Sequence, residues 1–519
     1  MGAQHVLATW LAVAAAHGIT PSTESHPMKT YRSWNPEQSH LLPPAPRDWL
    51  PEGHLVFFII DVVQQLDLGA ITRAVDAKDP RGAKPYSPVM MTTLLLYAYC
   101  VGVFSSRRIE RATYEDVAFR VLTAGEHPVY TVIAAFRRSH IDAFTDIFQQ
   151  TVALCRQAGM VKLGLVALDG TKMQGSASKH KAMSYDRMQE EEKRLEEEIR
   201  GLLKRVEDTD LAEDGRFGED QREEDLPAEL RRREGRREKI RAAKRALEEE
   251  ARHARIEVLE QRAAVHEAHA AEETDSARRK RAATEARKAR EQAAEIAKDL
   301  DDDEPPSSMG STSTGLQTHR VKTTPKGKPV PKAQRNFTDH ESRIQESGGS
   351  FLQGYNCQAV VDAEAQVIVA QGVTNQPPDN HHLQPMLEQT ARNVGRLPDA
   401  AAADAGYWTS ENALYGETHG VDLYISTRRA HHGQPPPTVA PDDSPRGTMA
   451  RKLASDVGRA VYARRKAIVE PVFGQVKEAR GFRRFLLRGL RKVGGEWALL
   501  TATHNLLKLL RHSMSSTTA

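Results

Sequence analysis

Apolar residues follow three rhythms along this chain. The first is the short run that stops abruptly. Leu165-Val-Ala-Leu168, with β-branched Val166, ends at Asp169-Gly170 and reads as a short buried strand presenting Asp169 at its C-terminal tip. Ala400-Ala-Ala-Ala403 followed by Asp404-Ala-Gly406 repeats the pattern, and Val421-Asp-Leu-Tyr-Ile-Ser426 supplies a further strand. Gly354 to Asp362 and Gln366 to Ala370 are two β-rich runs with a short polar joint, which predicts an antiparallel hairpin. The second rhythm is helical. It begins near Leu55 and returns in residues 89–101, where N-cap Ser87 and Pro88 start a helix apolar nearly all round that stops at Gly102. Further helices are predicted over 114–122, 130–156, 379–394, 462–477 and 497–510.

The third rhythm is the heptad. Met188, Leu195, Ile199, Leu202 and Val206 are separated by 7, 4, 3 and 4 residues with charges between. Gly215, Gly218 and Pro227 interrupt this pattern, and a second charged run extends to about Ala297. Two helices with a loop between them predict an antiparallel hairpin, whose second member, if continuous over about 70 residues, would be on the order of 105 Å long. Asp301-Asp-Asp-Glu-Pro-Pro-Ser-Ser308 then reads as a flexible linker.

Composition changes this picture modestly. At 519 residues two or three domains are expected. Cys100, Cys155 and Cys357 are scattered without metal or disulfide spacing, which fits a reducing, cytoplasmic compartment. The apolar stretch at residues 6–16 lacks a positive n-region and is too short to span a bilayer, so no membrane association is expected.

A net charge of +3 says little, but its distribution says more. Residues 451–492 carry 13 Lys or Arg against Asp456, Glu470 and Glu478, and residues 320–335 carry six basic residues and no acidic one. A basic extended segment can follow a phosphate backbone or merely tether two elements. Arginines in the N-terminal helices (Arg107, Arg108, Arg111, Arg137 and Arg138) fit a helix-turn-helix-like DNA-binding unit and, equally, a bundle kept soluble by its charges.

Asp169 and Asp404 at strand ends and Glu470 in a helix-like run could converge to hold two divalent ions, an arrangement that serves phosphoryl transfer. Taken singly, Asp-Gly and Asp-Ala-Gly are ordinary turn sequences. None of His340, His381-His382 or His431-His432 has the spacing of a zinc hydrolase helix, and no histidine is assigned to catalysis.

Together these stretches resemble a family. Leu165-Val-Ala-Leu-Asp-Gly-Thr-Lys172 with Lys179-His-Lys-Ala-Met-Ser-Tyr185, Gln353-Gly-Tyr-Asn-Cys-Gln-Ala-Val-Val-Asp362, Ala403-Asp-Ala-Gly-Tyr-Trp408 and Tyr462-Ala-Arg-Arg-Lys-Ala-Ile-Val-Glu-Pro-Val-Phe-Gly-Gln-Val-Lys477 look like bacterial insertion-sequence transposases of the DDE class. They are closest in kind to the subgroup with a long helical insert between the first two aspartates. The resemblance runs from about Met28 to Arg511. It implies an α/β protein with an RNase H-like core interrupted by a coiled-coil insert and preceded by an all-α DNA-binding domain. The expected divisions are a disordered extension at 1–27, helical domain 28–160, catalytic domain 161–183 with 350–512, insert 184–299 and basic linker 300–349.

The resemblance further implies a catalytic and metal-binding triad of Asp169, Asp404 and Glu470 holding two Mg²⁺ (or Mn²⁺) ions. Its partners would be double-stranded DNA, as terminal inverted repeats and target, and further copies of the chain on that DNA, in a nucleoid-associated location. Arg465, Lys477, Arg480, Arg483, Arg484 and Arg488 join the N-terminal arginines as candidate DNA contacts. Pro471 should kink or restart the helix that bears Glu470. The alternatives are a nuclease or inactive relic, separated by strand joining, and a coiled-coil interaction protein, separated by Mg²⁺-dependent cleavage.

Overall fold

The computed structural model describes residues 45–77, 84–217, 228–300, 310–428 and 442–517. The expected extension at 1–27, the acidic stretch 301–309 and His431-His432 lie outside them.

Among the described residues, seven α-helices precede the sheet: α1 (Leu55–Gln65), α2 (Gly69–Asp76), α3 (Pro88–Cys100), α4 (Ser106–Glu115), α5 (Val117–Leu122), α6 (Tyr130–Ser139) and α7 (Ala143–Gln157). Ser87 Oγ accepts from the Met90 amide at the start of α3, and every residue from Met91 to Cys100 is buried. Gly102 ends it at φ +79°, where a Cβ would sit 2.8 Å from the Arg480 carbonyl oxygen. The helix predicted over 130–156 is two helices. The chain turns at His140–Asp142, which lets Ile141 and Phe144 enter the core while Asp142 pairs with Arg491.

The sheet is built from β1 (Leu165–Gln174), β4 (Arg343–Ser347), β5 (Ser350–Asp362), β6 (Ile368–Thr374), β7 (Ala400–Ala403) and β8 (Asp422–Ile425). β5 lies antiparallel between β1 and β6, and β7 and β8 continue parallel on the other side of β1. The predicted hairpin and both later strands are therefore present. Between and after these strands come α11 (Leu383–Val394), α12 (Ser410–His419), α13 (Pro445–Ala454), α14 (Asp456–Gly474) and α15 (Leu490–Thr517). α14 packs on β1, and α15 packs on β6, α7 and α3. One apolar cluster runs from Val56 through the sheet to Leu506, so the N-terminal helices and the sheet share a core.

The insert comprises α8 (Tyr185–Phe217), α9 (Ala228–Glu272) and α10 (Ser276–Ala297). Its two ends meet in a ribbon of β2 (Ala182–Ser184) and β3 (Gln334–Asn336). The second charged run is not one continuous helix, because Asp275 caps a new start by accepting from the Ala277 and Arg278 amides, both at 2.9 Å. α9 is a spine of about 68 Å at 1.5 Å per residue. Its first half pairs with α8 through Arg241 to Glu192 (2.6 Å), and its second half with α10 through Arg290 to Glu267 (2.8 Å). In α10 the buried residues are Ala282, Ala286, Ala289 and Ala293, a heptad seam of small side chains.

Residues 310–349, expected as a flexible linker, are instead packed. Leu316 is fully buried in the main core, Val321 joins Tyr185, Leu247 and Ala251, and Arg320 reaches Glu257 of α9 at 2.5 Å. Arg335 and Arg343 share Glu250 of α9.

Candidate active site

The parallel ladder between β1 and β7 ends at Leu168 opposite Ala403. The next residue on each strand is an aspartate, Asp169 and Asp404. Asp169 does not end its strand as expected: β1 runs on to Gln174 against β5, and it is β7 that stops. Asp169-Gly170 is thus no turn. A Cβ at Gly170 would lie 2.5 Å from Gln358 Nε2 and 2.9 Å from Asp379 Oδ1, so a larger residue there would have to displace those side chains. Asp404 caps the tight turn Ala405–Tyr407, its Oδ1 accepting from the Gly406 amide at 2.8 Å. Tyr407 is fully buried and donates its hydroxyl to Gln358 Oε1.

Asp169 is a half-buried carboxylate held on both oxygens. Its Oδ1 accepts from the Gly170 amide at 2.8 Å and its Oδ2 from Arg465 at 2.8 Å. Burial pushes its pKa up to about 6, with Arg465 opposing the rise and Asp404 adding to it. Such a group gains from a cation.

Asp379 also belongs to this site, and sequence reasoning missed it. Its Oδ1 accepts from Asn356 Nδ2 at 2.6 Å, Gln358 Nε2 at 2.8 Å and Lys172 Nζ at 3.2 Å. A Cβ at Gly406 would stand 3.0 Å from Asp404 Oδ1 and 3.4 Å from Asp379 Oδ2, which puts both carboxylates beside one glycine. The available signal was Asn356 and Gln358, two polar residues at strand spacing in an otherwise apolar run.

Glu470 lies on the exposed side of α14. Arg465, Ile468, Val469 and Val472 form the buried face of α14, whereas Glu470 is exposed and makes no hydrogen bond or ion pair among the described residues. Nor do the described residues hold a group of three His, Cys, Asp or Glu side chains spaced to hold a metal ion. Pro471, expected to kink or restart the helix, lies inside α14 without interrupting it. The carbonyl of Ala467, which an amide at 471 would have engaged, accepts Gln366 Nε2 at 2.8 Å, and α14 continues to Gly474 before a wide turn at Gln475–Ala479.

The candidate DNA contacts divide by burial. Arg107 lies over the Tyr130 ring (4.8 Å), and Arg108, Arg111, Arg138, Arg483, Arg484 and Arg488 are exposed. Arg111 pairs with Glu115, Arg483 with Glu478, and Arg488 donates to the Ser176 carbonyl. Three others are corrected to interior roles. Arg137 donates to Tyr99 Oη (2.9 Å) and faces Glu496, Arg480 donates to Thr503 Oγ1 (2.8 Å), and Arg465 holds Asp169. Lys477 is half-buried, its Nζ 3.2 Å from the Lys172 carbonyl oxygen.

Two family models match this chain. Residues 313–506 match the Transposase DDE domain, and residues 45–139 match the Transposase domain (DUF772). The chain belongs to the insertion-sequence DDE transposases. As such it is an enzyme of a family that performs metal-dependent phosphoryl transfer on DNA. Asp169 and the helical insert lie outside both matched segments, so it is the β1–β7 register that brings Asp169 to the transposase site. Neither a curated protein nor a solved structure matches the transposase.

Proposed function

We propose that the chain transposes an insertion sequence, cutting its DNA ends and joining them to a target, with Asp169, Asp404 and Glu470 as the catalytic carboxylates of an RNase H-like core. The observation that carries this reading is the adjacency of Asp169 and Asp404 just past the end of the parallel ladder, in a chain with a DDE match. The strand order β5-β1-β7-β8, with β4 and β6 both paired to β5 and β5 alone running against the other strands, supports the RNase H-like assignment.

The donor chemistry fits a divalent ion in part. Asp169 and Asp404 offer hard oxygen ligands side by side, and burial, with Asp404 adding to it, raises the pKa of Asp169. Glu470 would complete the set from α14. A metal bound there supplies Lewis acidity to the phosphate that reacts. The protein's own groups do the rest. Arg465 orients Asp169, and the Ala405–Tyr407 turn aims Asp404. Exposed Arg107, Arg108, Arg111, Arg138, Arg484 and Arg488 would hold the DNA ends, and two copies of the chain would pair them.

The test is cleavage of a labelled element end in Mg²⁺, with end binding measured separately. Asp169→Asn and Asp404→Asn should lose cleavage by about 10³-fold or more and retain binding; cleavage by either variant would remove the metal-site reading. A Glu470→Gln protein that still cleaves would move the third carboxylate elsewhere, Asp379 being the nearest candidate. Joining of cut ends separates a transposase from a nuclease.

A further inference from the structure

The basic segment between the insert and β3 is a built feature. Residues 322–330 form a small hairpin, with the Val330 amide donating to the Lys322 carbonyl (3.0 Å) and the Thr324 amide to the Lys328 carbonyl (2.8 Å). The hairpin is braced from both sides. Gly327, at φ +73°, lies so close to α10 that a Cβ would meet Ile296 at 3.1 Å, and Arg320 is tied to Glu257 of α9. The segment's cations are sorted accordingly. The arginines at its two ends are paired with acids of α9, whereas Lys322, Lys326, Lys328 and Lys332 are exposed and form no ion pair among the described residues.

Beside the hairpin lies a cleft of about 570 Å³ between residues 317–322 and the loop Gln376–His381. Its lining contains Arg320, Lys322 and His381 and no acidic residue. Its walls are pinned together, since Thr374 Oγ1 donates to the Gln317 carbonyl (2.5 Å) and the His319 amide to Asn375 Oδ1 (2.7 Å). His319 adds shape and no charge, because burial and then Arg343 push its pKa down to about 4. The far wall continues into the site. The Pro377 carbonyl accepts from Lys172 Nζ at 2.8 Å, and two residues on stands Asp379.

The geometry points to a phosphodiester-binding track: the lysine hairpin and the cleft beside it hold the backbone of a DNA strand next to the phosphate that reacts. This rests on the transposase reading above. A mere tether would not need bracing on α9, α10 and the β6 loop. A solvated charged surface would not keep its lysines clear of the many glutamates of the neighbouring arm. The strand held could be donor DNA flanking the element or target DNA, and both offer the same chemistry.

The experiment uses the full-length chain with Lys322, Lys326, Lys328 and Lys332 all changed to Gln. Binding is measured across salt concentrations for element ends with and without flanking DNA, alongside cleavage and the joining of pre-cut ends to a plasmid. Each phosphate contact contributes about 0.9 to the slope of log K against log[salt], so the variant's slope should be shallower by about 2 to 4. A loss confined to flanked ends assigns the track to donor DNA, and a loss confined to joining assigns it to target DNA. The Lys→Arg version of all four should keep the parent slope, and a slope lost there too would mean that packing, not charge, was disturbed and would overturn the track. An active parent whose Gln variant matches it in slope, cleavage and joining overturns the track alone. A parent that fails to cleave DNA in Mg²⁺ overturns the transposase reading and the track with it.

Discussion

At the scale of single residues, burial separates charges that look alike in sequence. Arg137 and Arg138 are neighbours in a basic dipeptide, yet Arg137 is interior, with Tyr99 and Glu496, and Arg138 is exposed. Removing one partner of a buried pair leaves the other charge uncompensated, which costs about 3–5 kcal/mol. Arg137→Ala should therefore lower the urea midpoint strongly, while Arg138→Ala should leave it within about 0.5 kcal/mol and change only DNA binding. His504 supplies a pH test. Its ring sits 3.0 Å from the Gln366 carbonyl oxygen, and burial, then Arg480, push its pKa down to about 3. The folded pKa is below the unfolded value of about 6.5, so the unfolded chain binds the proton more readily. The contribution is complete above pH 6.5 and is lost as the pH falls toward 3, at up to roughly 1.4 kcal/mol per pH unit. His504→Asn should flatten this acid limb in stability measured by denaturant titration, and an unchanged limb would show that other groups govern acid unfolding.

Elements were legible where one side chain's chemistry decides a boundary. Ser87-Pro88 started α3, and the leucine and isoleucine heptads of α8 were plain. The break between α9 and α10 was hidden in a charged run, because the seam there is made of alanines, which a search for large apolar residues passes over. Two consequences follow for the arm. Loss of the Asp275 cap in Asp275→Ala should cost about 1 kcal/mol and show as faster amide exchange in the first turn of α10. Ala286→Leu should overpack the α9–α10 seam, costing about 1–3 kcal/mol, with no effect on the fold of the sheet. Equal protection of α9 and α10 in that variant would mean the seam is looser than its burial implies.

At the scale of the whole molecule, the arm is less separable than its composition indicates. Excising α8 to α10 would strip Glu250 from Arg335 and Arg343, two largely buried cations. The excised protein should lose about 3–5 kcal/mol of stability, and Arg343→Met in that background should recover part of it. An excised chain as stable as the parent would restore the modular picture. The N-terminal helices are similarly bound in, since α3 and α7 pack on α15 and Tyr99 bonds Glu496 at 2.8 Å.

The sequence by itself determined what is local: most of the helices and strands, the hairpin of β5 and β6, the position of the insert after β1, and the aspartates that follow Leu168 and Ala403. These are set by periodicity, caps and glycines that act over a few residues. Only the tertiary structure decided which charges are interior, that Asp379 joins Asp169 and Asp404, and that Glu470 lies on the exposed side of α14. It alone turned a supposed linker into a braced lysine hairpin. These properties depend on contacts between residues far apart in the chain, where the desolvation of a charge and the partner that offsets it are set together by packing.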